Sequence, residues 1–172
     1  MSSFAITVVG HDKPGIIAAV TTALAEHGGN VEDSTMTLLR GHFAWTLLVS
    51  VDAEQSELES SVAPCAADEL SITVLPMPDA GHDDLGASSS YWINVHGADR
   101  PGIVATLTQA LAERQGNITN LSTRLVNGLY VLGIDVDVPQ AVDADELAGS
   151  LGTLADELGV SLSMNAADED VL

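Results

Sequence analysis

The chain has 172 residues, with twenty-five acidic side chains against five basic ones and a formal net charge of −20. No Lys/Arg cluster exists to neutralise phosphates, which excludes direct DNA or RNA binding, and an anionic membrane surface would repel the chain. An apolar fraction of 46% fits a packed core rather than disorder, and the single cysteine, Cys65, excludes an intramolecular disulfide or a cysteine metal cluster.

The N-terminal "MSSFAITVVGHDKPG" has no basic stretch and too short an apolar run for a signal peptide. Together with the lone cysteine this predicts a cytoplasmic protein. The run Phe4–Gly10 is β-rich and ends in glycine. A helix is expected next, with Pro14 at its first position, where a missing N–H costs nothing. Ile16, Ile17, Val20 and Leu24 then form one helical stripe, and Gly28-Gly29 end the helix. "NVEDSTMTLLR", a turn at Gly41 and "HFAWTLLVSVD" read as a hairpin. Phe43, Trp45, Leu47, Val49 and Val51 alternate as in a strand with one buried face. A second helix is expected from Glu54 to Asp68, kinked or shortened by Pro64, followed by the short strand "LSITVL".

"PMPDAGHDDLGASSS" (Pro76–Ser90) is rich in Pro, Gly, Ser and Asp and reads as a flexible linker. Beyond it the whole series returns. "GHDKPGIIAAVTTALAEHGGN" from Gly10 is matched by "GADRPGIVATLTQALAERQGN" from Gly97, at a constant offset of 87 residues. Ile103, Val104, Leu107 and Leu111 repeat the stripe, which stops at Gly116. Gly128 repeats Gly41, and Tyr130, Leu132, Ile134, Val136 and Val138 alternate. Leu147, Leu151, Leu154 and Leu158 fall on one face of a helix expected over Asp143–Leu158, before a closing strand "VSLSM". Each half thus runs β-α-β-β-α-β, and the fold class is α+β, two ferredoxin-like units in tandem. The expected domains are residues 1–76 and 91–165, joined by a linker over 77–90 and followed by an acidic tail over 166–172.

Other signals carry little chemistry. The histidines His11, His27, His42, His82 and His96 show no H-x-x-x-H or H-E-x-x-H spacing, so no metal site is expected. Cys65 reads as packing, with no Cys-His signature. Ser88–Ser90 lack the G-x-S-x-G elbow, and the glycines at 10 and 15 do not make the G-x-x-x-x-G-K of a phosphate loop, because Ile16 stands where the lysine would. Neither a catalytic set nor a cofactor is expected. Trp45 and Tyr130 read as core.

The D-[KR]-P-G-I turn with a downstream G-N, present twice in "GHDKPGII…GGNV" and "GADRPGIV…QGNI", resembles the ACT domain. Two such units without a catalytic domain are similar to regulators of the glycine cleavage repressor type. The resemblance implies a non-enzymatic sensor of a small molecule, usually an amino acid, held between paired domains. It would signal through a protein partner, with the chain self-associating as a homodimer. Residue by residue, it implicates Gly10, His11, Asp12, Pro14, Gly15, Ile16 and Asn30 in the first half. In the second half it implicates Gly97, Asp99, Arg100, Pro101, Gly102, Ile103 and Asn117. Ala98 stands where the first half has His11, so the two sites need not be equal.

Physical chemistry supports that location. The first N–H groups of each helix have no partner within the helix and sit at its positive end, where a carboxylate is favoured. Gly15 and Gly102 would allow close approach. Asp12 or Asp99 would receive the ammonium, and Asn30 or Asn117 would bridge both groups. A structural reading stands beside each role: Pro-Gly shapes a tight turn, the aspartates bond exposed N–H groups at the helix start, and the asparagines supply a left-handed turn. Two alternatives to the sensor also stand, a ligand-free assembly module and a regulatory subunit of an amino-acid or one-carbon enzyme.

Overall fold

The computed structural model describes residues 2–66, 70–78 and 87–167. The chain forms two compact units. The first contains β1 (Ser2–His11), α1 (Ile16–Glu26), β2 (Asn30–Leu39), β3 (His42–Val51), α2 (Gln55–Val62) and β4 (Leu70–Met77). The second contains β5 (Ser88–Ala98), α3 (Ile103–Glu113), β6 (Asn117–Val126), β7 (Leu129–Pro139), α4 (Ala144–Leu158) and β8 (Val160–Ala166). Each unit has one four-stranded sheet, in the orders β2-β3-β1-β4 and β6-β7-β5-β8, with every neighbouring pair antiparallel.

Strand alternation builds the two cores. Phe4, Ile6 and Val8 of β1 and Phe43, Trp45, Leu47, Val49 and Val51 of β3 are buried with Ile16, Val20 and Leu24 of α1 and Leu58 and Val62 of α2. The second core repeats the plan with Ile93, Val95, Leu132, Ile134, Ile103, Leu107, Leu111, Leu147 and Leu151. Each hairpin turns on two residues of positive φ, Arg40-Gly41 and Asn127-Gly128, as a type I′ connection requires. A bulge interrupts β2 between Val31 and Asp33, and β6 between Ile118 and Asn120, at matching repeat positions.

Several expectations are corrected at the ends of elements. Ile17 is 43% exposed, because the buried line of α1 runs through Ile16, Val20 and Leu24 at four-residue steps and Ile17 lies one position, about 100°, round the helix from its start. Helix α2 stops at Val62, and Pro64 lies in a 3-10 turn, Ala63–Ala66, where Cys65 packs against the first core. On α4 the buried face is Leu147, Leu151 and Ala155, with Leu154 and Leu158 only partly buried. Tyr130 is likewise only partly buried at the rim of the second core. Pro76, Met77 and Ser88–Ser90, expected as linker, and Ala166, expected as tail, belong to strands. The expected helical residues 67–68, linker residues 79–86 with His82, and tail residues 168–172 lie outside the described residues.

Candidate functional site

The duplicated turn is governed by its glycine. Gly15 has φ 94° and ψ −6°, and Gly102 has φ 96° and ψ −13°. These are the dihedrals of the third residue of a type II turn, with Pro14 or Pro101 in the preceding position. The helix therefore starts one residue after the glycine, and Pro14 is not its first residue. A Cβ built on Gly15 or Gly102 would meet no protein atom within 4 Å. Positive φ requires glycine here, rather than crowding within the fold. Gly97 differs. A Cβ there would lie 2.8 Å from Val160 Cγ1 and 3.1 Å from its Cα, so the close pairing of β5 with β8 explains that glycine.

Neither repeated helix has a side-chain cap. The first backbone bonds are Ala19 N–H to Gly15 O and Thr106 N–H to Gly102 O, both 2.9 Å. The N–H groups of Ile16, Ile17 and Ala18 precede that bond in α1, as those of Ile103, Val104 and Ala105 do in α3. The other two helices are capped. Asp143 Oδ1 accepts from the N–H groups of Asp145 and Glu146 at 2.9 and 3.0 Å, and Glu54 with Glu57 forms a capping box on α2. Asp12 and Asp99 thus do not cap their helices. Asp12 instead donates its own N–H to Gly41 O at 3.1 Å, which ties the turn to the β2–β3 hairpin.

An apolar cavity of about 490 Å³ opens on the first turn. Asp12, Lys13, Pro14, Gly15 and Ile16–Ala18 line it, and Met36 of β2 and Phe43 of β3 close it. Of the expected residues, the fold brings Asp12, Pro14, Gly15 and Ile16 together. Gly10 lies within β1, opposite Phe43. His11 pairs with His42, their ring centroids 5.8 Å apart, and strand alternation turns it to the opposite sheet face. Asn30 is not brought near. It pairs with Ser50 on the rung of Ser3, whereas the turn follows the rung of His11 and His42. Eight rungs separate them, about 25 Å. Asn117, paired with Asp137 on the rung of Ser90, is equally remote from the second turn. Neither asparagine supplies a left-handed turn: both are strand residues, and Gly28 and Gln115 hold that conformation instead.

In the second half Asp99, Pro101, Gly102 and Ile103 repeat the turn. Arg100 is engaged within the fold, since its Nη1 donates to Leu158 O at 3.1 Å and its guanidinium packs on Gly159 at the end of α4. Burial raises the Tyr130 phenol above its ordinary pKa, and the Asp99 carboxylate pushes it the same way. Met36, Phe43 and Lys13 were not expected at the site. The available signal was the repeat itself, which places Thr123 opposite Met36 and Tyr130 opposite Phe43 at the constant offset of 87 residues. Among the described residues no three His, Cys, Asp or Glu side chains gather as a metal site, and no helix is long and apolar enough to cross a membrane.

Two ferredoxin-like units, each with an uncapped helix start beside a strand-end turn, make up a ligand-binding regulatory protein. The chain belongs to the ACT domain family, whose model matches residues 2–75 and 91–165, once in each unit. Over 170 residues it is 25% identical to the glycine cleavage system transcriptional repressor of Escherichia coli, covering 95% of this chain and 89% of that one. A UPF0237 protein of Methanopyrus kandleri is 37% identical over 88 residues, covering 49% of this chain and 92% of the relative. A crystal structure of an unknown protein from Galdieria sulphuraria superposes with TM-score 0.79 at 28% identity, over 96% of this chain and 98% of that one. The relative matched over nearly the whole of this chain is thus named as a transcriptional repressor.

Proposed function

We propose that the chain is a cytoplasmic, non-enzymatic sensor that binds an amino acid between paired ACT domains and passes the signal to a protein partner. One observation carries this reading: α1 and α3 start without caps at the duplicated turns, while α2 and α4 are capped. Amide donors left open at the positive end of a helix suit a carboxylate. Asp12 or Asp99 would receive the ammonium, and Asn30 or Asn117 would join a site only from another ACT unit. Ligand acts by population shift, so it must bind one domain arrangement more tightly than the other. The net charge of −20 makes any effect on transcription indirect, through a DNA-binding protein.

A thermal-shift panel of amino acids tests this. At least one should raise the melting temperature, since ligand at a hundred times its Kd adds about 2.7 kcal/mol. Silence across the panel with the oligomer intact would favour the second reading, a ligand-free assembly module. The apolar edge strands support that reading: Met36, Leu38 and Leu39 of β2 are 47%, 47% and 56% exposed, and Leu125 and Val126 of β6 are 45% and 53% exposed.

A further inference from the structure

We infer that ligand binding is confined to the first half, and that its ligand is an α-amino acid with an apolar side chain about the size of leucine or methionine. This deepens, and rests on, the amino-acid reading above.

The two turns share a backbone but not a lining. In the first half Pro14, Ile17, Met36 and Phe43 surround the cavity, so whatever extends from a carboxylate at the helix start meets hydrocarbon and thioether. At the matching positions the second half carries Thr123 and Tyr130, with the Tyr130 hydroxyl close enough to Asp99 to feel its charge. An apolar side chain placed there would strip water from a phenol and a carboxylate without replacing it. Charge points the same way. Residues 1–76 contain only two cations, Lys13 and Arg40, and the Asp12–Gly41 bond sets both at the end of the sheet where the cavity opens. In so acidic a half, that end is where an incoming anion is least repelled. Glycine would satisfy the amide donors yet leave Met36 and Phe43 uncovered.

Calorimetric titration of the full chain with L-leucine, L-methionine and glycine separates the possibilities. The expected result is one site per chain, with the better apolar ligand binding at least about tenfold tighter than glycine. Met36→Thr, which installs the residue of the second half, should remove most of that preference. Met36 is 47% exposed on an edge strand, so this variant should keep the fold, and circular dichroism checks it. Two equal sites per chain, glycine binding as tightly as leucine, or an unchanged preference in Met36→Thr would overturn the inference while leaving the amino-acid reading intact. Failure of every amino acid to bind would remove that reading as well.

Discussion

At the residue scale, backbone conformation explains more of the repeat than side-chain chemistry does. Gly15 and Gly102 hold φ near +95° in open surroundings, so Gly15→Ala should cost about 1–2 kcal/mol through strain alone, read from the urea midpoint. Gln115 occupies the left-handed position that Gly28 fills in the first half, with φ 57° against 72°. Gln115→Gly should therefore stabilise the second unit by about 0.5–1 kcal/mol, the relief of strain exceeding the added freedom of the unfolded chain. Tyr130 gives a pH dependence of known sign. Its folded pKa lies above its unfolded value near 10, so the unfolded chain releases this proton first. Its contribution is present below about pH 10 and is lost as pH rises through the folded pKa. In a Tyr91→Phe background, phenolate absorbance should show Asp99→Asn lowering the Tyr130 pKa; no change would remove Asp99 from its surroundings. Spacing revealed the glycines and the aspartates. It did not reveal that Gly97 answers to Val160 or that Arg100 bonds Leu158 O, because both depend on long-range pairing.

At the scale of elements, the duplicated strand and helix patterns were readable because each burial period is nearly unbroken, as in Phe43–Val51 and Leu132–Val138. What periodicity could not supply was register. Asn30 follows the helix closely in sequence, yet β2 begins at the end of the sheet far from the turn, since α1 has run the length of the domain to reach it. The helix start was displaced for a local reason, the positive φ of Gly15. Caps divide the helices by role. Asp143→Ala should cost about 1 kcal/mol, seen as an earlier thermal transition, because two α4 amides lose their acceptor. Strand β2 is exposed along its whole length with Leu38 and Leu39 among its residues, so Leu38→Lys with Leu39→Lys should weaken self-association without unfolding the core. An unchanged sedimentation profile across dilution would show that this edge is not the contact.

At the scale of the whole molecule, two separate cores carry two copies of one turn, and duplication has left them unequal. The first copy faces Met36 and Phe43; at the matching positions the second carries Thr123 and Tyr130, and its arginine is drawn into the fold. Such divergence suits the proposed division, in which one unit senses and the other serves the assembly. The direct measurement is an amide proton–nitrogen correlation spectrum of the full chain, titrated with the amino acid that stabilises it best. The expected result is saturable movement of the Ile16, Ile17 and Ala18 resonances, whose N–H groups lie ahead of the first α1 hydrogen bond. Saturable binding that leaves those three amides unmoved would contradict the proposed site.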